Sequence, residues 1–137
     1  MNAILREWLD KAEEDYAVAV REARVRKNPA FNAICFHAQQ CIEKYLKAVT
    51  CRESKPMTKT HDLDVLLNGC LDRYPLWEAM RADLKRLSRY AVQFRYPGES
   101  ADREEARLAV KTMKRCRQQI RAALGLRELD GRPPSNS

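Results

Sequence analysis

Apolar residues recur at helical spacing in five stretches of the chain, separated by short polar breaks. Leu5, Trp8, Leu9, Ala12, Tyr16, Ala19, Val20 and Ala23 share one face of a helix expected over Ala3 to Lys27, which Asn28-Pro29 ends. A second helix is expected from Pro29 or Ala30 to Cys51, with Phe31, Ile34, Ala38, Cys41, Ile42, Tyr45 and Val49 as its buried stripe. Ala33, Cys35 and Phe36 make its first half apolar on nearly every side. Such a helix belongs at the centre of a bundle or against a second subunit.

Arg52 to Lys59, which includes Pro56, reads as a loop, after which Thr60 is a suitable N-cap for a third helix ending between Gly69 and Arg73. Asp62 and Asp64 in its first turn complement the helix dipole. A fourth helix is expected to start around Pro75, carry Trp77, Met80, Leu84, Leu87, Ala91 and Phe94 inward, and close at Pro97-Gly98. The fifth begins at Ser100 or Asp102, where Asp102 and Glu105 have capping-box spacing. It buries Ala106, Ala109, Val110, Met113, Cys116, Ile120 and Leu124, and Gly125 is its stop signal. The expectation is an all-α fold, an antiparallel bundle of about five helices over residues 1–125, followed by a disordered tail over 126–137.

At 137 residues the chain suits one domain, and with 45% hydrophobic and 33% charged residues it is neither disordered nor a membrane bundle. Met1 to Glu7 lacks the basic start and apolar stretch of an export signal, so a cytoplasmic location is expected. Cys35, Cys41, Cys51, Cys70 and Cys116 are odd in number and lack paired short spacing, which suits reduced core thiols. The two histidines, His37 and His61, sit in no ligand-spaced motif, and no metal site is expected.

The net charge of +7 is concentrated: residues 81–121 carry twelve Lys or Arg against five Asp or Glu, and the rest of the chain balances at fourteen of each. A field of this kind attracts phosphates, polyanions or an acidic partner protein. Arg81, Lys85 and Arg89 on the fourth helix, with Arg107, Lys111, Lys114 and Arg121 on the fifth, form the candidate RNA-contacting surface.

Three clusters offer chemistry. His37, Gln40, Lys44 and Lys47 step by three, four and three residues and line one face of the second helix, where they present donors to an anion. Their plain alternative is a solvated face with an ordinary Glu43–Lys47 pair. Arg95 and Tyr96, ahead of Pro97-Gly98, place a guanidinium that grips phosphate beside a ring that stacks on a base; alternatively they bond the helix end and the loop beneath. Lys59-Thr60-His61-Asp62-Leu63 reads as a helix cap, with His61 donating to a nearby carbonyl.

Phe36 to Ala48 (FHAQQCIEKYLKA), Thr60-His61-Asp62-Leu63, Tyr90-Ala91 and Arg95-Tyr96-Pro97, together with Trp8-Leu9, Ala12 and Asp15-Tyr16, resemble the HEPN domain (higher eukaryotes and prokaryotes nucleotide-binding), in its stand-alone prokaryotic type. The likeness spans residues 5 to 125. It implies an antiparallel bundle, often a homodimer, working with a minimal nucleotidyltransferase in toxin and antitoxin pairs. The positions matching its motifs, His37, Gln40, Lys44, Lys47, Arg95 and Tyr96, become candidates for nucleotide or phosphate binding, with ATP or another nucleotide as the ligand.

One departure bears on catalysis. Many relatives are metal-independent ribonucleases with an arginine followed four to six residues later by a histidine, and this sequence has no such pair. No catalytic residue is therefore assigned, and a non-enzymatic binding role leads. A ribonuclease with a site rearranged across helices, such as His37 with Arg95, and an RNA-binding module using the basic surface are the alternatives.

Overall fold

The computed structural model of the chain describes residues 2–126. Five α-helices, α1 (Ala3–Ala23), α2 (Phe31–Arg52), α3 (Leu63–Asn68), α4 (Arg81–Ser88) and α5 (Arg103–Ala123), carry the fold, with 3₁₀ turns at Pro75–Met80 and Arg89–Ala91. The all-α bundle read from the periodicity is the fold observed. Of the expected 126–137 tail, all but Leu126 lies outside the described residues.

α2 is the central helix, packed on α1, α5, α3 and the second 3₁₀ turn. Cys35, Ala38, Cys41, Ile42, Tyr45, Leu46 and Val49 are fully enclosed, as its apolar composition requires. Pairs across the bundle give the directions. Asp15 meets His37 and Glu13 meets Tyr45, so α1 runs antiparallel to α2. Asn32 meets Ala101 and Tyr45 meets Arg121, so α2 and α5 run alongside each other in the same sense. Asp83 meets Arg115 and Tyr90 meets Glu105, which sets α4 antiparallel to α5.

The fourth element is not one helix. Trp77 and Met80 are three residues apart, as are Leu84, Leu87 and Tyr90, and all five are buried. Three-residue spacing is that of a 3₁₀ turn. The chain tightens into such turns at both ends of α4, with Pro75 at the start of the first and Tyr74 stacked on Trp77 at 4.2 Å. Phe94 therefore lies beyond the helix, in the segment that leads to the cleft described below.

Caps also sort themselves by chemistry. Asp62, not Thr60, caps α3: its Oδ1 accepts from Asp64 N at 2.9 Å, while Thr60 Oγ1 accepts from Asp62 N at 3.0 Å in the preceding turn. Asp102 caps α5 through Glu105 N at 2.8 Å, but the Glu105 carboxylate takes the Tyr90 hydroxyl instead of closing the box. α1 ends at Ala23, short of the expected Lys27; Asn28, at φ 52°, makes a left-handed step within the loop that follows, and Glu22 accepts from Ala30 N ahead of α2.

All five cysteines are free thiols, four of them buried. Burial pushes Cys35 and Cys116 up to about 12 and Cys70 up to about 11, so these thiols stay protonated at neutral pH.

Candidate functional site

The polar face of α2 is wired into the fold through two carboxylates. Asp15, buried on α1, accepts from His37 Nδ1 at 2.7 Å through one oxygen and from Lys44 Nζ at 2.6 Å through the other. One turn further round, Glu43 takes Lys47 Nζ at 3.0 Å, Gln39 Nε2 at 3.1 Å and His61 Nδ1 at 3.0 Å. Gln40 reaches the same group through Gln39 Oε1 at 2.7 Å.

The expected Glu43–Lys47 pair thus forms, but as a buried one: the Glu43 side chain is 4% exposed and that of Lys47 is 7%. Lys47 also lies beside the Trp8 ring. Burial pushes the Glu43 carboxyl up, yet hydrogen bonds from Lys47, Gln39 and His61 outweigh it and hold the group below its ordinary value. His61 meets that carboxylate and not a carbonyl; its own carbonyl accepts from Gln39. The loop before α3 is fastened to α2 by this exchange.

His37, Lys44 and Gln40 remain half-buried and within reach of a ligand, whereas Lys47 is interior. Aligning donors on one face was legible in the sequence. Their partner Asp15, brought from α1, was visible only as part of a motif.

A cleft opens where the first turns of α2 meet the segment after α4. It holds about 230 Å³ and is lined by Asn32, Ala33, Phe36, His37, Tyr90, Phe94 and Arg95. Arg95 lies over the Phe36 ring with its Cζ 5.9 Å from the centroid, and Phe94 stacks on Tyr90 at 5.7 Å. Among the described residues no side-chain hydrogen bond ties Arg95 to the helix end or to the loop, and its guanidinium edge is left to solvent and ligand. Asn32 ties the far side of the loop down by accepting from Ala101 N at 2.7 Å.

His37 and Arg95 thus reach one cleft from α2 and from the segment beyond α4. Because Nδ1 of His37 is committed to Asp15, Nε2 is the nitrogen left for a ligand. Tyr96 is 68% exposed and is not part of the cleft wall. Asn32, Phe36, Tyr90 and Phe94 were missed as site residues: periodicity assigned Phe94 to the core, Phe36 was read as part of the apolar circumference of α2, Tyr90 only as part of a motif, and no spacing marked Asn32.

The basic surface is thinner than the charge count implied. Arg121 turns inward, with Nη1 3.0 Å from the Tyr45 hydroxyl, and its side chain is 11% exposed, so it does not belong to an outer stripe. Arg81 is bound to Asp64, Asn68 and Glu78, and Arg107 to Glu104. Lys85, Arg89, Lys111 and Lys114 remain at the surface on α4, the turn after it and α5.

Among the described residues no helix is long and apolar enough to cross a membrane, and no group of three or more His, Cys, Asp or Glu is placed to hold a metal.

A helical domain whose central helix brings a carboxylate-paired histidine to an arginine-lined cleft is the class these observations define. Residues 5–122 match the profile of the HEPN domain, and the chain belongs to that family. The crystal structure of TT1696 from Thermus thermophilus shares the fold, with a TM-score of 0.74 at 22% identity over 86% of this chain and 96% of that one. No curated protein matches the chain.

Proposed function

We propose that this HEPN-domain protein binds a nucleotide or other phosphate-bearing ligand in the cleft between α2 and Arg95, and acts with a minimal nucleotidyltransferase in a two-protein, toxin and antitoxin type of system. The observation that carries the reading is the meeting of Arg95, Phe36 and His37 at one opening. A guanidinium held on a ring keeps its N–H edge for phosphate, and the neighbouring rings offer a stacking surface to a base. At about 230 Å³ the cleft is smaller than a typical pocket of about 300–1,000 Å³, so it suits a base while the phosphate stays at the rim near Arg95.

Thermal denaturation with ATP, GTP and a short RNA at two salt concentrations tests this. Ligand at a hundred times its dissociation constant should add about 2.7 kcal/mol to unfolding. Arg95→Ala should lose that shift while keeping the unliganded midpoint within about 2 °C, since its guanidinium supports no packed core. Silence with every nucleotide and RNA sinks the proposal. A homodimer fits the family reading, and sedimentation tests it.

A second reading has its own observation. Asp15 fixes His37 so that Nε2 serves as an acid or base, and Arg95 stands across the cleft to stabilise charge on a phosphate. This restores, across helices, the pair missing from the local sequence, and makes the protein a metal-independent ribonuclease. Cleavage in the presence of chelator should then vanish in both His37→Ala and Arg95→Ala, and persistence in either variant overturns this reading. Tyr96 has an exposed hydroxyl suited to nucleotide transfer by the partner; an unchanged mass after co-expression removes that role.

A further inference from the structure

The orientation of one amide bears on which base the cleft would take. Asn32 occupies the second position of α2, and its Oδ1 accepts the Ala101 backbone N–H at 2.7 Å. That bond settles which end of the side chain is oxygen, because an amide nitrogen could not accept there. The other end, Nδ2, carries two hydrogens and has no partner among the described residues, and Asn32 is part of the cleft wall. Beside it, Arg95 has donors only and no carboxylate partner among the described residues. The Tyr90 hydroxyl spends its proton on Glu105 at 2.7 Å.

We infer that Asn32 is a specificity-determining residue: its amide, fixed by Ala101 N–H, presents a donor that selects bases bearing a carbonyl over bases bearing an exocyclic amine, while Arg95 serves the phosphate at the rim. Guanine and hypoxanthine present O6 and N7 as adjacent acceptors, and uracil presents O4. Adenine and cytosine present N6 or N4 amines where those bases carry a carbonyl, so the hydrogens of Nδ2 meet hydrogens there and are left with ring acceptors such as adenine N7 alone. Rotating the amide to accommodate them breaks the bond to Ala101, which holds the loop between Arg95 and α5. The selection is therefore enforced by the fold and not by a freely turning side chain. The inference rests on the cleft being the ligand site, as proposed above.

Equilibrium binding of IMP, AMP, UMP and CMP to the full chain tests it, since each pair differs mainly by oxo against amino at the position read. IMP should bind at least about fivefold more tightly than AMP, and UMP than CMP. Asn32→Asp keeps an oxygen for Ala101 N–H but replaces the donor by a carboxylate oxygen; it should keep the thermal midpoint and lose the preference together with most of the affinity. Asn32→Ser, which offers a shorter hydroxyl, should bind all four alike. Equal binding of the four nucleotides by the wild-type chain overturns the inference while the binding function stands. A preference that survives in Asn32→Asp overturns it too, by moving the selection elsewhere, and absence of binding by any of the four removes both readings.

Discussion

Glu43→Gln should destabilise the protein by about 3–5 kcal/mol in chemical denaturation, one of the two largest effects expected of any polar substitution here. Glu43 is 4% exposed at its side chain and is the shared acceptor for Lys47, Gln39 and His61. Removing its charge leaves the Lys47 ammonium, 7% exposed, without the carboxylate that pairs it. Lys47→Met should cost less, because Glu43 keeps Gln39 and His61, and the double variant should recover part of the loss.

The same carboxylate sets a pH signature. Its folded pKa lies below the ordinary 4.5, so the unfolded chain takes up the proton first as pH falls. The stabilisation from Glu43 is therefore complete above about pH 4.5 and is lost as pH drops through the folded value. Denaturation midpoints of the wild type should fall in that acid window, and those of Glu43→Gln should fall less. Identical slopes for the two proteins would show that the carboxylate is not held as described.

Much of the fold was legible because each long helix has a single consistent period. α2 and α5 appear where apolar spacing and the signals Pro29, Asp102 and Gly125 place them, and α1 starts where expected but ends at Ala23, four residues short of the expected Lys27. The short elements were less so. Steps of three and four residues alternate from Trp77 through Met80, Leu84 and Leu87 to Ala91, and such a pattern is compatible with an α-helix until the neighbours decide which turns tighten. The candidate site divides in the same way. Periodicity could align His37, Gln40, Lys44 and Lys47, since all four lie on one helix. It could offer the Glu43–Lys47 pair but not its burial, which depends on how deeply α2 is enclosed, nor that Asp15 would claim His37 and Lys44, because Asp15 arrives from another helix. Arg121 shows the reverse error: a charged residue on an apparently basic stripe turned inward because Glu13 and Tyr45 wait beneath it.

Glu13→Ala should cost about 3 kcal/mol or more and lower the melting temperature by roughly 10 °C. Glu13 receives both Nε and Nη2 of Arg117 at 2.8 Å and the hydroxyl of Tyr45, and Arg121 approaches it at 3.8 Å. Arg117 is 15% exposed at its side chain and lies 3.9 Å over the Tyr16 ring, so its charge cannot retreat to solvent when the carboxylate is removed. Burial and the Glu13 carboxylate both raise the Tyr45 hydroxyl above its ordinary range, and it stays a neutral donor. Tyr45→Phe removes two hydrogen bonds, one donated to Glu13 and one accepted from Arg121 Nη1, and should cost about 1–3 kcal/mol.

The cluster does more than hold three helices together. It fixes α1 against α2 and α5 two residues before Asp15, and Asp15 is the group that aims His37 and restrains Lys44. A Glu13→Ala protein that still folds at low temperature should therefore show a weakened ligand shift, although residue 13 never reaches the cleft. Asp15→Asn should reproduce that weakening at a smaller cost in stability, since it leaves Arg117 paired. If Glu13→Ala lowers the midpoint but binds ligand as the wild type does, the register of α1 is not what positions His37, and the site is organised from α2 alone.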